Sequence, residues 1–233
     1  MKKQRGFTLI EIAIVLVIIG LLLGGVLKGQ ELITGARVRN LIGQQDGVKA
    51  AYFGFVDRFR ALPGDYALAT TNINGTTVKG NGNGQIESAG AVVNGSIVQE
   101  DIGVWEHLSK AGFITGSYTP GGTPAYATTS APANPYGAFL VMRYDTAYAD
   151  TGTAASRHNL KTGNQIPADL LAEIDRKVDD GAPDTGSFRV SSLALTGPVT
   201  TANCMTAGTA PAAGTWKLTG GSIETNCGGA SVF

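Results

Sequence analysis

Residues 7–27 make up 21 positions that are apolar almost throughout, and they hold a single charge, Glu11. A helix of that length covers roughly 30 Å, the thickness of one hydrocarbon core. Ile, Val and Leu recur on all sides of it, so the pattern is a segment apolar all round and not an amphipathic stripe. A carboxylate in such a helix costs roughly 2.5–3.5 kcal/mol at mid-bilayer and marks a functional position by default. Lys2, Lys3 and Arg5 precede the run and only Lys28 closely follows it, which keeps the N-terminus cytoplasmic and exports the rest. A secretory signal has a shorter apolar region ending in a small-residue cleavage site. No Ala-x-Ala follows this run within ten residues, so removal on the far side of the membrane is not expected.

The string Arg5-Gly6-Phe7-Thr8-Leu9-Ile10-Glu11 resembles the prepilin signature of type IV pilins and type II secretion pseudopilins. The resemblance implies a cut by prepilin peptidase after Gly6, on the cytoplasmic side, and methylation of the new amine of Phe7. That amine lies one helical turn from Glu11, where opposite charges pair. Formed between neighbouring subunits, the same pair would set the axial register of an added subunit, as single buried polar groups do in coiled coils. A plain membrane anchor with a glutamate near its end is the bland alternative. Gly20 and Gly24 stand four apart, the spacing that lets apolar helices approach closely. Many major pilins carry a proline early in the mature helix, whereas the first proline here is Pro63. That departure makes a minor pilin or a secretion pseudopilin the alternative to a main filament subunit.

Beyond Lys28 the helical period continues. Val38, Leu41, Val48, Tyr52, Phe55 and Phe59 follow spacings of three and four, interrupted by Gln45, which predicts an amphipathic helix over residues 28–62. Leu62-Pro63-Gly64 ends it. The expected organisation is a leader at 1–6, a transmembrane and assembly half-helix at 7–27, an amphipathic half at 28–62 and a globular head at 63–233. The fold class is α+β, pilin-like: one long N-terminal helix packed on an antiparallel β-sheet head.

In the head, the β-branched runs either side of Asn94-Gly95 predict a hairpin. Helices are expected over Glu100–Ala111, with Val104, Trp105, Leu108 and Ala111 inward, and from Pro167, with Leu170, Leu171, Ile174 and Val178 inward. Strands are expected at 136–144, 188–195 and 215–219, and Ser117–Pro135 is the expected flexible loop. Cys204 and Cys227 are the two cysteines. Export places them in an oxidising compartment, where a pair bonds; free thiols or metal binding are the alternatives, the latter without a nearby histidine.

Lys79–Ile86 holds Asn81 and Asn83 at alternate positions, as a calcium loop does, but counted from Asn83 the twelfth position, where the closing acid should be, is Asn94, and a Gly/Asn turn explains it as well. Asp179, Asp180 and Asp184 follow the second helix, where negative charge opposes the helix dipole. The pseudopilin resemblance implies calcium for such clustered acids; turn formation around Gly181-Ala182-Pro183 is the alternative. No other cofactor is expected.

The two histidines, His107 and His158, fall in separate segments, and no nucleophile elbow, zinc-protease or phosphate-loop motif occurs. Catalysis is not expected. Without the leader the chain holds fifteen basic against eighteen acidic side chains, so nucleic acid is not an expected partner. The partners implied by the resemblance are other pilin-like subunits, prepilin peptidase and an inner-membrane assembly platform. The implied location is the bacterial inner membrane, single-pass with the head outside the cytoplasm, then a pilus or periplasmic pseudopilus. A tip protein or anchored binding module whose head contacts a surface, a secreted substrate or DNA is the alternative function.

Overall fold

The computed structural model describes residues 9–88, 90–93, 96–120, 125–193, 195, 200–218 and 224–233. Gly6 and Phe7, and the Asn94-Gly95 turn, lie outside the described residues. The chain divides into two compact units, 1–39 and 40–233. Helix α1, Leu9–Phe59, supplies the described part of the first unit and one helix of the second.

The amphipathic pattern beyond Lys28 is realised as burial: Val38, Leu41, Val48, Tyr52 and Phe55 are buried and Phe59 partly so. Gln45, the polar residue in the stripe, is buried as well and accepts a hydrogen bond from Ser231 Oγ at 3.1 Å. The helix stops at Phe59, short of the expected 62. Arg60 turns into the left-handed region at φ 52°, while its N–H still bonds the Val56 carbonyl at 2.9 Å. A left-handed residue with proline soon after is a common helix stop.

The remaining elements, in order, are α2 (Ala69–Asn72), β1 (Val78–Lys79), β2 (Gly90–Val93), β3 (Ser96–Gln99), α3 (Glu100–Lys110), β4 (Val141–Asp145), β5 (Arg157–Lys161), α4 (Ala168–Val178), β6 (Phe188–Val190), α5 (Thr201–Cys204), β7 (Met205–Thr206), β8 (Thr215–Trp216) and β9 (Gly229–Val232). They form three antiparallel sheets: β1-β2-β3, β4-β5-β9-β6 and β7-β8. The expected hairpin is present, with Val93 opposite Ser96. The main sheet places the C-terminal strand β9 between β5 and β6. All four residues of β9 are buried, so the strand shows no in–out alternation.

The core of the second unit joins α1, α3 and the main sheet. Tyr52 and Phe55 of α1 pack with Val104, Trp105 and Leu108 of α3 and with Leu140, Met142 and Leu160. Each such large side chain contributes about 1.5–3 kcal/mol by leaving water.

Several sequence expectations are shortened. The strand expected over 136–144 begins only at Val141, because residues 135–137 turn around Asn134, whose Oδ1 accepts the N–H groups of Tyr136 and Ala138. The strand expected over 188–195 ends at Val190, and that over 215–219 is reduced to Thr215–Trp216. Val178 is exposed, unlike Leu170, Leu171 and Ile174. Ala111 is only partly buried. The loop within 117–135 is packed in its described part: Tyr126 bonds buried Asp101 at 2.8 Å, and Ser130 and Ala131 are buried.

Candidate functional site

From Leu9 to Lys28 every residue of α1 is exposed, and the helix is long and apolar enough to cross a membrane. Exposure of an apolar run this long, broken only by Glu11 before Lys28, has no rationale in water; a lipid or helical neighbour supplies one. Glu11 sits in the first described turn of α1, the end where the helix dipole favours a carboxylate. Nothing approaches within 4 Å of where a Cβ would stand on Gly20 or Gly24, so this notch is open to another helix. Gly25 and Gly29, and Gly43 and Gly47 further along, repeat the four-residue spacing with the same open space. Sequence reasoning passed over those two pairs although their spacing was visible.

Residues 1–27 match the family model described as the prokaryotic N-terminal methylation motif, the hallmark of type IV pilin and pseudopilin prepilins. The chain carries this N-terminal methylation motif. No curated protein and no solved structure matches the chain. The prepilin motif thus covers the exposed apolar segment, while the head stands on its own geometry.

In the head, Cys204 and Cys227 form a disulfide, both fully buried. The bridge joins α5 to the segment leading into β9 and encloses the β7–β8 ribbon. The ribbon is held from α4 and from the loop that follows it as well. Asp184 accepts the N–H groups of Gly208 and Gly214, each at 2.7 Å, and Trp216 Nε1 donates to Asp175 Oδ2 at 2.8 Å.

The three acids expected as a cluster therefore separate. Asp184 is committed to the ribbon, whereas Asp179 and Asp180 gather with Asp175, one ligand atom from each lying within 4.8 Å of the others. Asp179 Oδ2 accepts the N–H groups of Ser187 and, at 2.9 Å, Phe188. Gly186 makes room for it: a Cβ there would stand 1.9 Å from that oxygen, at φ 66°. Asp180 accepts from Ala182 N–H at 2.9 Å and from Thr185 Oγ1 at 2.5 Å. Burial pushes the Asp175 carboxyl up to about 6, with the charges of Asp180 and Asp179 adding to the effect.

A second polar cluster lies on α3, where Glu100, Asp101, Glu106 and His107 are all fully buried. Glu100, Glu106 and His107 accept from backbone of the 64–87 segment, whereas Asp101 accepts from the Tyr126 and Arg143 side chains. Glu106 takes the N–H groups of Thr77 and Val78 at 3.0 and 2.8 Å. Glu100 takes those of Asn81 and Glu87 at 2.9 and 3.1 Å. Asp65 takes Gly82, Asn83 and Gly84 at 2.6, 3.0 and 2.8 Å. Asn81 and Asn83 turn their own Oδ1 atoms to the N–H groups two residues on, the Asx-turn pattern. The carboxylates organise a loop; nothing in the arrangement activates a nucleophile.

His107 Nδ1 accepts the Gly64 N–H at 2.8 Å, so that nitrogen is unprotonated and Nε2 donates to the Val78 carbonyl at 3.0 Å. Burial lowers its pKa to about 4, and burial raises that of Glu100 to about 7. Sequence reasoning missed the buried acids of α3, because residues buried on every side leave no helical stripe.

Proposed function

We propose that this chain is a structural subunit of a type IV pilus or a type II secretion pseudopilus. It is made as a prepilin, cut by prepilin peptidase between Gly6 and Phe7, methylated on the Phe7 amine, and drawn into a filament through the apolar half of α1. The observation that supports this reading most directly is the methylation motif at residues 1–27 on a helix whose side chains are exposed from Leu9 to Lys28. The new amine compensates Glu11 within the hydrocarbon, and the open glycine notches let neighbouring helices pack closely. The chain is held in the bacterial inner membrane with its head outside the cytoplasm until an assembly platform and other pilin-like subunits take it up. The disulfide fits an oxidising compartment for the head.

The test is processing in cells that express prepilin peptidase. The wild-type chain should lose the mass of residues 1–6 and gain one methyl group, and Gly6→Leu should retain the leader and remain unassembled. An intact mass unchanged by the peptidase in the wild type would refute the reading.

A further inference from the structure

We propose that the head closes an intramolecular isopeptide bond between Lys161 Nζ and the side-chain carbonyl carbon of Asn159, with Asp145 as its acid–base group. Both residues lie on β5 with Leu160 between them. The register with β4 puts Asp145, Arg143 and Val141 on the same face as Arg157, Asn159 and Lys161. Asn159 is fully buried and Lys161 is 1% exposed. Lys161 Nζ bonds both Asp145 oxygens, at 2.7 and 3.0 Å, and also Asn159 Oδ1. Asp145 Oδ1 in turn accepts from Asn159 Nδ2 at 3.0 Å. One carboxyl therefore touches both the attacking nitrogen and the nitrogen that leaves.

An ion pair alone explains this arrangement less well. A lysine taken fully out of water carries a desolvation cost that one carboxylate repays poorly. Arg157, exposed and directly opposite Asp145 in the ladder, is placed to serve that carboxylate from solvent. Burial pushes the Lys161 ammonium down to about 8, and a desolvated lysine amine is a ready nucleophile. Asp145 takes one proton from Nζ, and the freed lone pair attacks Cγ of Asn159. Rotation about the Asn159 Cβ–Cγ bond, a broad torsion, turns the carbonyl face to Nζ and gives up the amide's bond to the Arg157 carbonyl. The Nζ–Cγ bond forms, Asp145 carries protons to Nδ2, and the Cγ–Nδ2 bond breaks with release of ammonia. Three protons on Nζ and two on Nδ2 end as one on the new amide, three on ammonia and one on Asp145. No oxidant, reductant or co-reactant is consumed. The product replaces a buried ammonium by a neutral amide, in a ring closed over Leu160. The inference concerns the head alone and holds whether or not the chain enters a filament.

Mass spectrometry supplies the test. The full chain, expressed without prepilin peptidase and purified in detergent, is followed until its intact mass stops changing. That mass should fall below the sequence mass by one ammonia, about 17 Da. Trypsin, which cuts after an unmodified lysine, should fail between Lys161 and Thr162 and leave a peptide of residues 158–176 that carries the whole loss. Lys161→Met should keep its full sequence mass. Asp145→Asn should form the bond roughly a hundredfold more slowly, as removal of an acid–base group does; an unchanged rate would overturn its role. A wild-type chain at its sequence mass, cut after Lys161, would overturn the proposal outright, and that reading requires neither variant to fold. So would a loss that persists in Lys161→Met, since a succinimide at an Asn-Gly step such as Asn81-Gly82 has the same mass.

Discussion

Gly64 donates its backbone N–H to Nδ1 of His107 across 2.8 Å, and this bond ties the turn that ends the long helix to the last turn of α3. Phe55 of α1 stacks on the other side of the same imidazole, with ring centroids 6.1 Å apart and planes at 14°. Gly64 itself sits at φ 90°, and a Cβ on it would stand 2.5 Å from the Glu100 carbonyl oxygen. Glycine is therefore required at this point on two counts, backbone conformation and space.

The His107 bond has a pH signature. A protonated imidazole needs acceptors at both nitrogens, yet Gly64 offers Nδ1 a donor. The folded-state pKa is depressed from 6.5 to about 4, so between those values the unfolded chain binds more protons than the native one. The histidine's contribution is complete above pH 6.5 and is lost as pH falls toward 4, by about 3 kcal/mol at the limit. Glu100, raised from 4.5 to about 7, works in the opposite sense, costing stability as pH rises from 4.5 through 7. Whole-protein melts therefore blend the two, and the informative quantity is the difference from His107→Gln, which keeps one donor and one acceptor. The wild type should lose stability relative to that variant on going from pH 7 to pH 4. A difference that stays flat across this range would remove His107 from the account.

Asp101 and Arg143 give a prediction about a buried charge. Asp101 is fully buried, and its Oδ2 accepts from Tyr126, Arg143 Nε and Arg143 Nη2. Burial raises its pKa despite the guanidinium. Arg143→Met should destabilise the protein by about 3–5 kcal/mol, because it leaves a buried carboxylate without its cation. Adding Asp101→Leu in the same chain should recover part of that loss, since both charges are then gone. Denaturant titration of the two variants checks this. A double variant no more stable than the single one would show that packing around Arg143, and not charge, sets the cost.

These relationships differ in how far the sequence exposes them. The long helix is legible because its apolar stripe and the stop at Leu62-Pro63 are local signals, and the prepilin signature around Gly6, Phe7 and Glu11 is equally local. Strand β9 is not legible. Gly229-Ala230-Ser231-Val232 is buried throughout and has no alternation, and its first residue must be glycine because the Phe188 ring would lie 2.3 Å from a Cβ there. Asp175 follows Ile174 in an amphipathic helix, where sequence alone gives no sign of its burial. Its burial depends on Trp216, 41 residues away in the chain, and no local pattern encodes that contact. Asp184 was grouped with Asp179 and Asp180 by proximity in sequence, while the β7–β8 ribbon claims it in space.

The disulfide supports a measurable share of head stability. Cys204 and Cys227 are 23 residues apart, and in the chain-entropy account closing such a loop is worth roughly 3 kcal/mol. Replacing both cysteines by alanine should lower the midpoint of denaturation accordingly. The ribbon keeps Asp184 and Trp216 as independent anchors, so the variant should still fold, with hydrogen exchange faster in residues 205–218 than in β4 and β5. Uniform acceleration over the whole sheet would mean that the bridge stabilises the head globally and not the ribbon.

Glu11 is the last and sharpest case, because two substitutions separate insertion from assembly. Glu11→Val removes a carboxylate that costs roughly 2.5–3.5 kcal/mol in mid-membrane, so membrane insertion should be as good as in the wild type or better. Cleavage after Gly6 should also persist, giving a mature chain of the expected mass. What should fail is incorporation into filaments, because the Phe7 amine then lacks its counter-charge and nothing specifies axial register. Glu11→Asp retains the charge on a side chain one methylene shorter and should assemble partially. Shed filaments, quantified by immunoblot against total mature protein, give the readout. Filament levels for Glu11→Val equal to the wild type would end the register argument while leaving the processing argument intact.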